Sequence, residues 1–240
     1  MKKTTTLVDA FEDVCKMKAP LNVRLAAYNE ALRELNFPFA EAYDDLVARL
    51  RAGEIGAMAP RIGEPMPPFV LSAHTGRLVS LDEILRLGPA VISFNRGHWC
   101  PFCKIELRTI ASHQEEIAAH GAQLISILPD RQQFVQRLPA DVLDNFIILT
   151  DVDNSYALSL GLAFWLGERI AGLMEGRGHR LGEYQGSDGW FVPLPSTFVV
   201  GPDGRVIARQ VNPEFRERMD VEEILTALQS VRASDNRPLS

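Results

Sequence analysis

The sequence predicts an α/β fold preceded by a small helical extension. Short apolar runs at 90–94, 123–128 and 146–149, each bounded by turn residues, read as buried strands. Helix-length segments alternate with them, the pattern of right-handed crossovers in a mostly parallel sheet. The first sixty residues carry helical periodicity alone. The chain therefore divides into an extension over 1–60 and an α/β domain over 61–240.

Within the extension, 7–17 and 20–35 read as helices. Leu21, Leu25, Tyr28, Leu32 and Leu35 recur at three- and four-residue steps and make one apolar stripe. That stripe is expected to pack against a second subunit, giving a homodimer, rather than on the main domain. Asn36-Phe37-Pro38 stops the helix, a third runs over 40–51, and Gly53 lies just past its end. The stretch 56–68, rich in Gly, Pro and Met, reads as a linker.

The α/β domain begins at about Phe69. Its first buried strand is 90–94, followed by a helix over 102–119 closed by His120-Gly121. A strand over 123–128, a short helix over 131–138, a strand over 146–149 and a helix near 155–160 come next. The runs 196–200 and 206–211, joined by Gly201-Pro202-Asp203-Gly204, form a β-hairpin. An amphipathic helix over about 220–233 closes the domain through Val221, Ile224, Leu225 and Leu228.

Composition excludes several classes. There are 25 Lys and Arg against 31 Asp and Glu, a net charge of −6, so a nucleic-acid partner is not expected. No apolar run approaches the roughly 20 residues that cross a bilayer, so no membrane partner is expected either. Acidic residues at Asp9, Glu12 and Asp13 interrupt the N-terminus, which does not read as a secretory signal. A cytoplasmic location follows as the expectation.

Three cysteines, Cys15, Cys100 and Cys103, are too few to staple a scaffold. Cys15 reads as a small buried hydrophobe. Cys100-Pro101-Phe102-Cys103 stands at a helix start a few residues after a buried strand. Pro101 suits the first helical position, where its missing N–H costs nothing. Cys100 then sits at the N-cap, where unpaired N–H groups and the helix dipole favour a thiolate, the reactive form. Cys103, one turn on, can close a disulfide with it. This setting points to dithiol redox chemistry on a thioredoxin-like fold. The rival, half of a zinc knuckle, lacks a second cysteine pair, and the spacings of His98 and His113 match no zinc pattern.

The segment Phe94-Asn95-Arg96-Gly97-His98-Trp99-Cys100-Pro101-Phe102-Cys103-Lys104-Ile105-Glu106-Leu107 resembles the active-site loop of peroxiredoxin-like proteins of the alkyl hydroperoxide reductase/thiol-specific antioxidant family. Gly63-Glu64-Pro65-Met66-Pro67-Pro68-Phe69 resembles the family's lead-in to its first strand, and 198–206 its late hairpin. The resemblance implies a thioredoxin-like, peroxiredoxin-type sheet flanked by helices. It also implies peroxide reduction, no organic or metal cofactor, and electrons from a thioredoxin-like or small-thiol reductant.

The family's P-x-x-x-T-x-x-C, aligned on Cys103, puts Cys100 at the Thr position and Arg96 at the Pro position. The place before Ser196-Thr197-Phe198, where the family often carries Arg, holds Pro195. That is where thioredoxins keep a cis-proline facing the dithiol. By the thioredoxin likeness Cys100 attacks and Cys103 resolves; by the peroxiredoxin alignment the roles reverse. Both routes end in a Cys100–Cys103 disulfide. The substrate is a peroxide or, in a thioredoxin-like oxidoreductase, a disulfide. A non-catalytic redox sensor is the remaining alternative.

Supporting roles follow. Arg96 lowers a thiol pKa or holds a peroxide oxygen. His98 shuttles protons, against a plain loop histidine. Trp99 shields the dithiol, and Pro195 is a candidate cis-proline beside it. Glu106, on the next helical turn, takes part in proton transfer or is an exposed helix carboxylate. Arg216 and Arg218 resemble a recurring segment of this subgroup without an evident role.

Overall fold

The computed structural model describes residues 6–35 and 37–235. Met1–Thr5, part of the segment read as lacking a secretory signal, and Asn36, part of the predicted helix stop, lie outside the described residues. Three helices lead: α1 (Leu7–Lys16), α2 (Leu21–Glu34) and α3 (Phe39–Ala52). Thr6 caps α1, its hydroxyl accepting from the Asp9 amide while Asp9 reaches back to the Thr6 amide. Next come β1 (Val70–Ala73), β2 (Leu78–Ser80), α4 (Leu81–Leu85), β3 (Ala90–Phe94), α5 (Pro101–Ala111), α6 (Gln114–Ala119) and β4 (Gln123–Leu128). Then follow α7 (Gln132–Val135), α8 (Ala140–Leu143), β5 (Ile147–Thr150), α9 (Ser155–Ser159), β6 (Ala163–Trp165), α10 (Glu168–Glu175), α11 (Leu181–Gln185) and β7 (Phe191–Pro193). The chain closes with β8 (Ser196–Val200), β9 (Val206–Val211) and α12 (Val221–Asp235).

The main sheet has the strand order β2-β1-β5-β4-β3-β8-β9, and β6 and β7 form a small second sheet. The sequence predicts a mostly parallel sheet; the observed one is mixed. Only β3–β4 and β4–β5 pair in parallel. The pairings β1–β2, β1–β5, β3–β8 and β8–β9 are antiparallel. Hairpins at both sheet ends return the chain directly, so they need no crossover helix. The predicted helix over 102–119 is two helices. Ser112 Oγ donates to the Thr109 carbonyl, and His113 Nδ1 lies 3.0 Å from the same oxygen. Such side-chain competition for backbone carbonyls bends or ends helices.

The N-terminal stripe packs inside the chain, not against a partner. Leu21, Leu25, Tyr28 and Leu32 are buried. The Tyr28 ring meets Phe102 of α5 edge-on at 5.3 Å, and Tyr43 of α3 meets Phe215 at 5.3 Å. Such aromatic pairs add about 0.5–1.5 kcal/mol each beyond the area they bury. Arg24 ties three helices together. Its guanidinium bonds the Val14 and Cys15 carbonyls at the end of α1 and Thr109 Oγ1 on α5. Cys15 is half-buried against the same core.

The segment 56–68 is irregular but anchored. The Gly63 and Met66 amides donate to the Val206 and Gly204 carbonyls, and Arg209 bonds the Ala59 and Pro60 carbonyls. Among the described residues no helix is long and apolar enough to cross a membrane.

Candidate active site

β3 is buried along its whole length between β4 and β8, and it ends at Phe94. The loop 95–99 then delivers Cys100 to the start of α5. Asn95 holds that loop to the sheet, its amide bonding Ser93 Oγ and Ser126 Oγ. Gly97 makes the turn at φ +132, where a Cβ would stand 2.7 Å from Trp99 Nε1 and 2.8 Å from Asp130 Oδ1. Only glycine takes both that backbone angle and that proximity without strain.

Cys100 is the N-cap of α5 and Pro101 its first residue. The Cys103 amide donates to Cys100 Sγ at 3.4 Å, so an orphan helix donor points at the sulfur. Arg96 Nη2 donates to the same sulfur at 3.2 Å. Both cysteines are free thiols and both are buried. Burial pushes the Cys100 thiol up. The hydrogen bond from Cys103 and the charges of Arg96 and Arg218 outweigh that and hold it well below the usual thiol range. Burial pushes Cys103 up, and the Cys100 sulfur beside it adds to the rise. The pair is thus pushed apart, Cys100 toward the thiolate and Cys103 toward the thiol.

Arg96 is wholly buried in an aromatic cage. Its guanidinium carbon lies 4.2 Å from the Phe215 ring centroid, 5.6 Å from Trp99 and 5.7 Å from Tyr43. Its Nε and Nη1 are buried with no hydrogen-bond partner among the described residues. Buried donors left unpaired cost about 1–3 kcal/mol each, so two on one guanidinium beside a thiolate call for a functional reason.

A second arginine lies under Cys103. Arg218 Nη2 is 4.0 Å from Cys103 Sγ, and Arg218 Nε donates to Glu106 Oε2 at 3.0 Å. Arg218 also donates to the Phe215 carbonyl, which fixes the segment after β9. Glu106 is buried rather than exposed on its helix. Its Oε1 accepts from Thr197 Oγ1 at 3.0 Å and from Ser93 Oγ at 3.5 Å. Burial raises the Glu106 carboxyl against the opposing pull of Arg218.

The other predicted residues fall as follows. Trp99 is partly buried and stacks on Arg96. His98 bonds neither sulfur. Its amide and its Nδ1 both meet Asp130 Oδ2, at 2.6 and 2.8 Å, and its ring packs against Phe134 and Tyr184. That contact anchors the loop, so His98 is placed as a brace rather than a proton shuttle at the thiols. Pro195 corrects an expectation: it is trans, since the described residues contain no cis peptide bond. The chain runs extended from β7 through the Leu194 amide, bonded to the Leu162 carbonyl, into β8. A trans X–Pro bond, the default, suits that path. Both edges of β8 are taken from Ser196 onward, by β3 and β9, so no free edge follows Pro195.

Sequence reasoning missed Tyr43, Asp130, Thr197 and Phe215, and gave Arg218 no role. Thr197 stands on β8 and Asp130 in the loop just past β4, and only the tertiary arrangement reveals their neighbours. Among the described residues no group of three or more His, Cys, Asp or Glu side chains converges as metal ligands would.

An N-capping cysteine paired with a second cysteine one turn on, at the mouth of a mixed, helix-flanked sheet, defines a thiol oxidoreductase of thioredoxin-type fold. The comparisons agree. The AhpC/TSA family model matches residues 62–209, more than half of the chain, and the chain belongs to that family. It is 22% identical over 160 residues to the thiol-disulfide oxidoreductase ResA of Bacillus thuringiensis (strain Al Hakam), covering 67% of this chain and 75% of that protein. In fold it is similar to peroxidoxin BcpB from Mycobacterium tuberculosis, with a TM-score of 0.55, 19% identity, and coverage of 72% of this chain and 99% of that one. It is also similar to a yeast mitochondrial 1-Cys peroxiredoxin, with a TM-score of 0.56, 17% identity, and coverage of 73% and 78%.

Proposed function

We propose that this protein is a dithiol peroxidase in which Cys100 attacks peroxide and Cys103 resolves. The observation that carries the reading is Arg96. One nitrogen bonds Cys100 Sγ at 3.2 Å while two more donors stay buried and unpaired beside it. Donors placed where oxygen charge develops lower a barrier without reorganising.

The cycle runs as follows. The Cys100 thiolate attacks one peroxide oxygen; an S–O bond forms and the O–O bond breaks. The leaving oxygen departs as alkoxide or hydroxide, accepts a bond from Arg96 and takes up a proton. Cys100 is now a sulfenic acid. The Cys103 sulfur, losing its proton, then attacks the Cys100 sulfur, and water leaves as the disulfide forms. Arg218, 4.0 Å from Cys103 Sγ, stabilises the negative charge of that step. An external thiol donor of thioredoxin or small-thiol type returns two electrons and two protons. A reducing compartment such as the cytosol suits the cycle, because it keeps the thiols reduced.

Disulfide exchange is the second reading, favoured by the name carried by the ResA relatives. Burial weighs against it. Cys100 has no exposed surface, and a protein disulfide must bring a bulky partner up to the sulfur, whereas a small peroxide needs only a narrow opening to reach it. The deciding experiment reacts pre-reduced protein with hydrogen peroxide and traps sulfenic acid with dimedone. Cys103→Ser should accumulate the adduct at Cys100, and Cys100→Ser should give none. Oxidation of Cys100 no faster than that of free cysteine overturns the reading.

A further inference from the structure

Arg218 stands 4.0 Å from Cys103 Sγ, but no helix or strand carries it. It belongs to 212–220, the irregular stretch between β9 and α12. The same stretch supplies Phe215, whose ring centroid lies 4.2 Å from the Arg96 guanidinium carbon. A segment without a ladder of its own takes its place from the groups that bond to it.

Those groups come from the helical extension. Asn22, on α2, meets the Arg218 backbone on both sides. Its Oδ1 accepts from the Arg218 amide at 2.8 Å, and its Nδ2 donates to the Arg218 carbonyl at 2.8 Å. One side-chain amide thus replaces the pair of bonds a neighbouring strand would give. Its Nδ2 also donates to Asp220 Oδ2 at 3.0 Å. Arg216 donates to Asp44 of α3 at 2.7 Å, and Arg51 of α3 lies 3.6 Å from Glu214. Asn22, Asp44 and Arg51 precede residue 62 and 212–220 follows residue 209, so both halves of this clasp lie outside the stretch the family model matches. Glu106 holds the Arg218 guanidinium, while among the described residues Asn22 is the hydrogen-bond partner of the backbone that carries it. Burial and the Cys100 sulfur push the Cys103 thiol up, and the Arg218 charge opposes that rise. A charge acts through distance, so displacing the Arg218 backbone weakens the effect.

We infer that Asn22 of the helical extension is a positioning residue for disulfide closure: it holds Arg218 under Cys103, where the guanidinium charge stabilises the attacking sulfur. The inference rests on the role of Cys103 as the resolving thiol, which peroxide reduction and disulfide exchange share, and not on the oxidant.

The test uses the reduced full-length protein and methyl methanethiosulfonate, a small reagent that calls on no peroxidase activity. The Cys100 thiolate takes its S-methyl sulfur; an S–S bond forms and methanesulfinate leaves. Cys103 loses its proton to the buffer and attacks the Cys100 sulfur. The protein disulfide forms, and methanethiolate leaves and gains a proton. Mass spectrometry of quenched samples times that closure. Asn22→Ala should slow it roughly three- to ten-fold, the size of one lost hydrogen bond. The variant should also raise the pH at which closure accelerates. In the Arg218→Met background the same substitution should leave closure no slower while still lowering the melting temperature. That split separates positioning from a structural role. Asn22→Ser, whose short side chain cannot span both backbone groups, takes the place of Asn22→Ala if the latter does not fold, with the same expectation. Closure at the wild-type rate and pH dependence, or a slowing that persists undiminished without Arg218, overturns the inference. Asn22-dependent closure without turnover of any peroxide sinks the peroxidase reading and upholds the inference. Peroxide turnover with closure indifferent to Asn22 sinks the inference alone.

Discussion

Arg218 Nε lies 3.0 Å from Glu106 Oε2, and both side chains are inside the protein. The pair joins the segment after β9 to the second turn of α5, directly beneath Cys103. Thr197 and Ser93 satisfy the other carboxylate oxygen, so the charge pair is embedded in a hydrogen-bonded network.

Removing one member of such a pair leaves the other charge buried and uncompensated, a loss of about 3–5 kcal/mol. Arg218→Met and Glu106→Gln should each destabilise by that order in urea unfolding. The double variant should cost clearly less than the two summed, because the orphaned charge is gone. Additive losses would show that the two residues act independently. Arg218→Met should also slow disulfide closure after peroxide oxidation more than it slows the oxidation itself.

The lowered Cys100 thiol gives a pH signature. Its folded value lies below that of the unfolded thiol, which is about 8.5. The thiolate's stabilising contribution is therefore complete above that pH and is lost as pH falls through the folded value. The stability gap between the wild type and Cys100→Ala should shrink on acidification. Iodoacetamide alkylation of Cys100 should inflect below the ordinary thiol value and fall on the acid side of that inflection. Cys103→Ala removes a hydrogen bond to the thiolate, so it should move that fall to higher pH. An alkylation profile inflecting near the ordinary thiol value would contradict the assignment.

Gly97 offers a backbone test. Gly97→Ala forces a side chain into a conformation costing about 1–3 kcal/mol. It also drives Cβ against Trp99 Nε1 and Asp130 Oδ1. The variant should melt earlier, and its Cys100 should alkylate faster, because displacing Trp99 uncovers the sulfur. Unchanged melting would mean the loop relaxes freely.

What could be read from the sequence follows the range of the interactions. The N-capping position of Cys100, the buried runs of β3 and β4 and the β8–β9 hairpin depend on neighbours within a few residues, and the structure has them where periodicity put them. Arg96 was legible because it stands four residues from its target. Arg218 was not, because its meeting with Cys103 is set by the path of the chain after β9. Glu106 looked like a surface carboxylate, since nothing local announces that Thr197, ninety-one residues on, will accept it into the sheet. β6 and β7, three residues each, are too short to show a period. Pro195 misled because position in the chain does not determine an X–Pro isomer. The apolar stripe of α2 was a true signal whose partner, α5, only the tertiary structure identifies.

The strongest single test is Arg96. A hydrogen bond to a charged group contributes about 1.5–3 kcal/mol, so Arg96→Met should slow peroxide oxidation of Cys100 roughly ten- to a hundred-fold. It should also raise the pH at which the thiolate forms. Arg96→Lys should recover little of the rate. The guanidinium is held by stacking on Phe215, Trp99 and Tyr43 and presents several fixed donors. An ammonium is a compact, strongly hydrated charge that neither stacks in that cage nor reaches the sulfur and the peroxide oxygen together. Stopped-flow rates for the three proteins across pH separate the two contributions. Full rescue by lysine would reduce Arg96 to a bare positive charge and remove the donors from the mechanism.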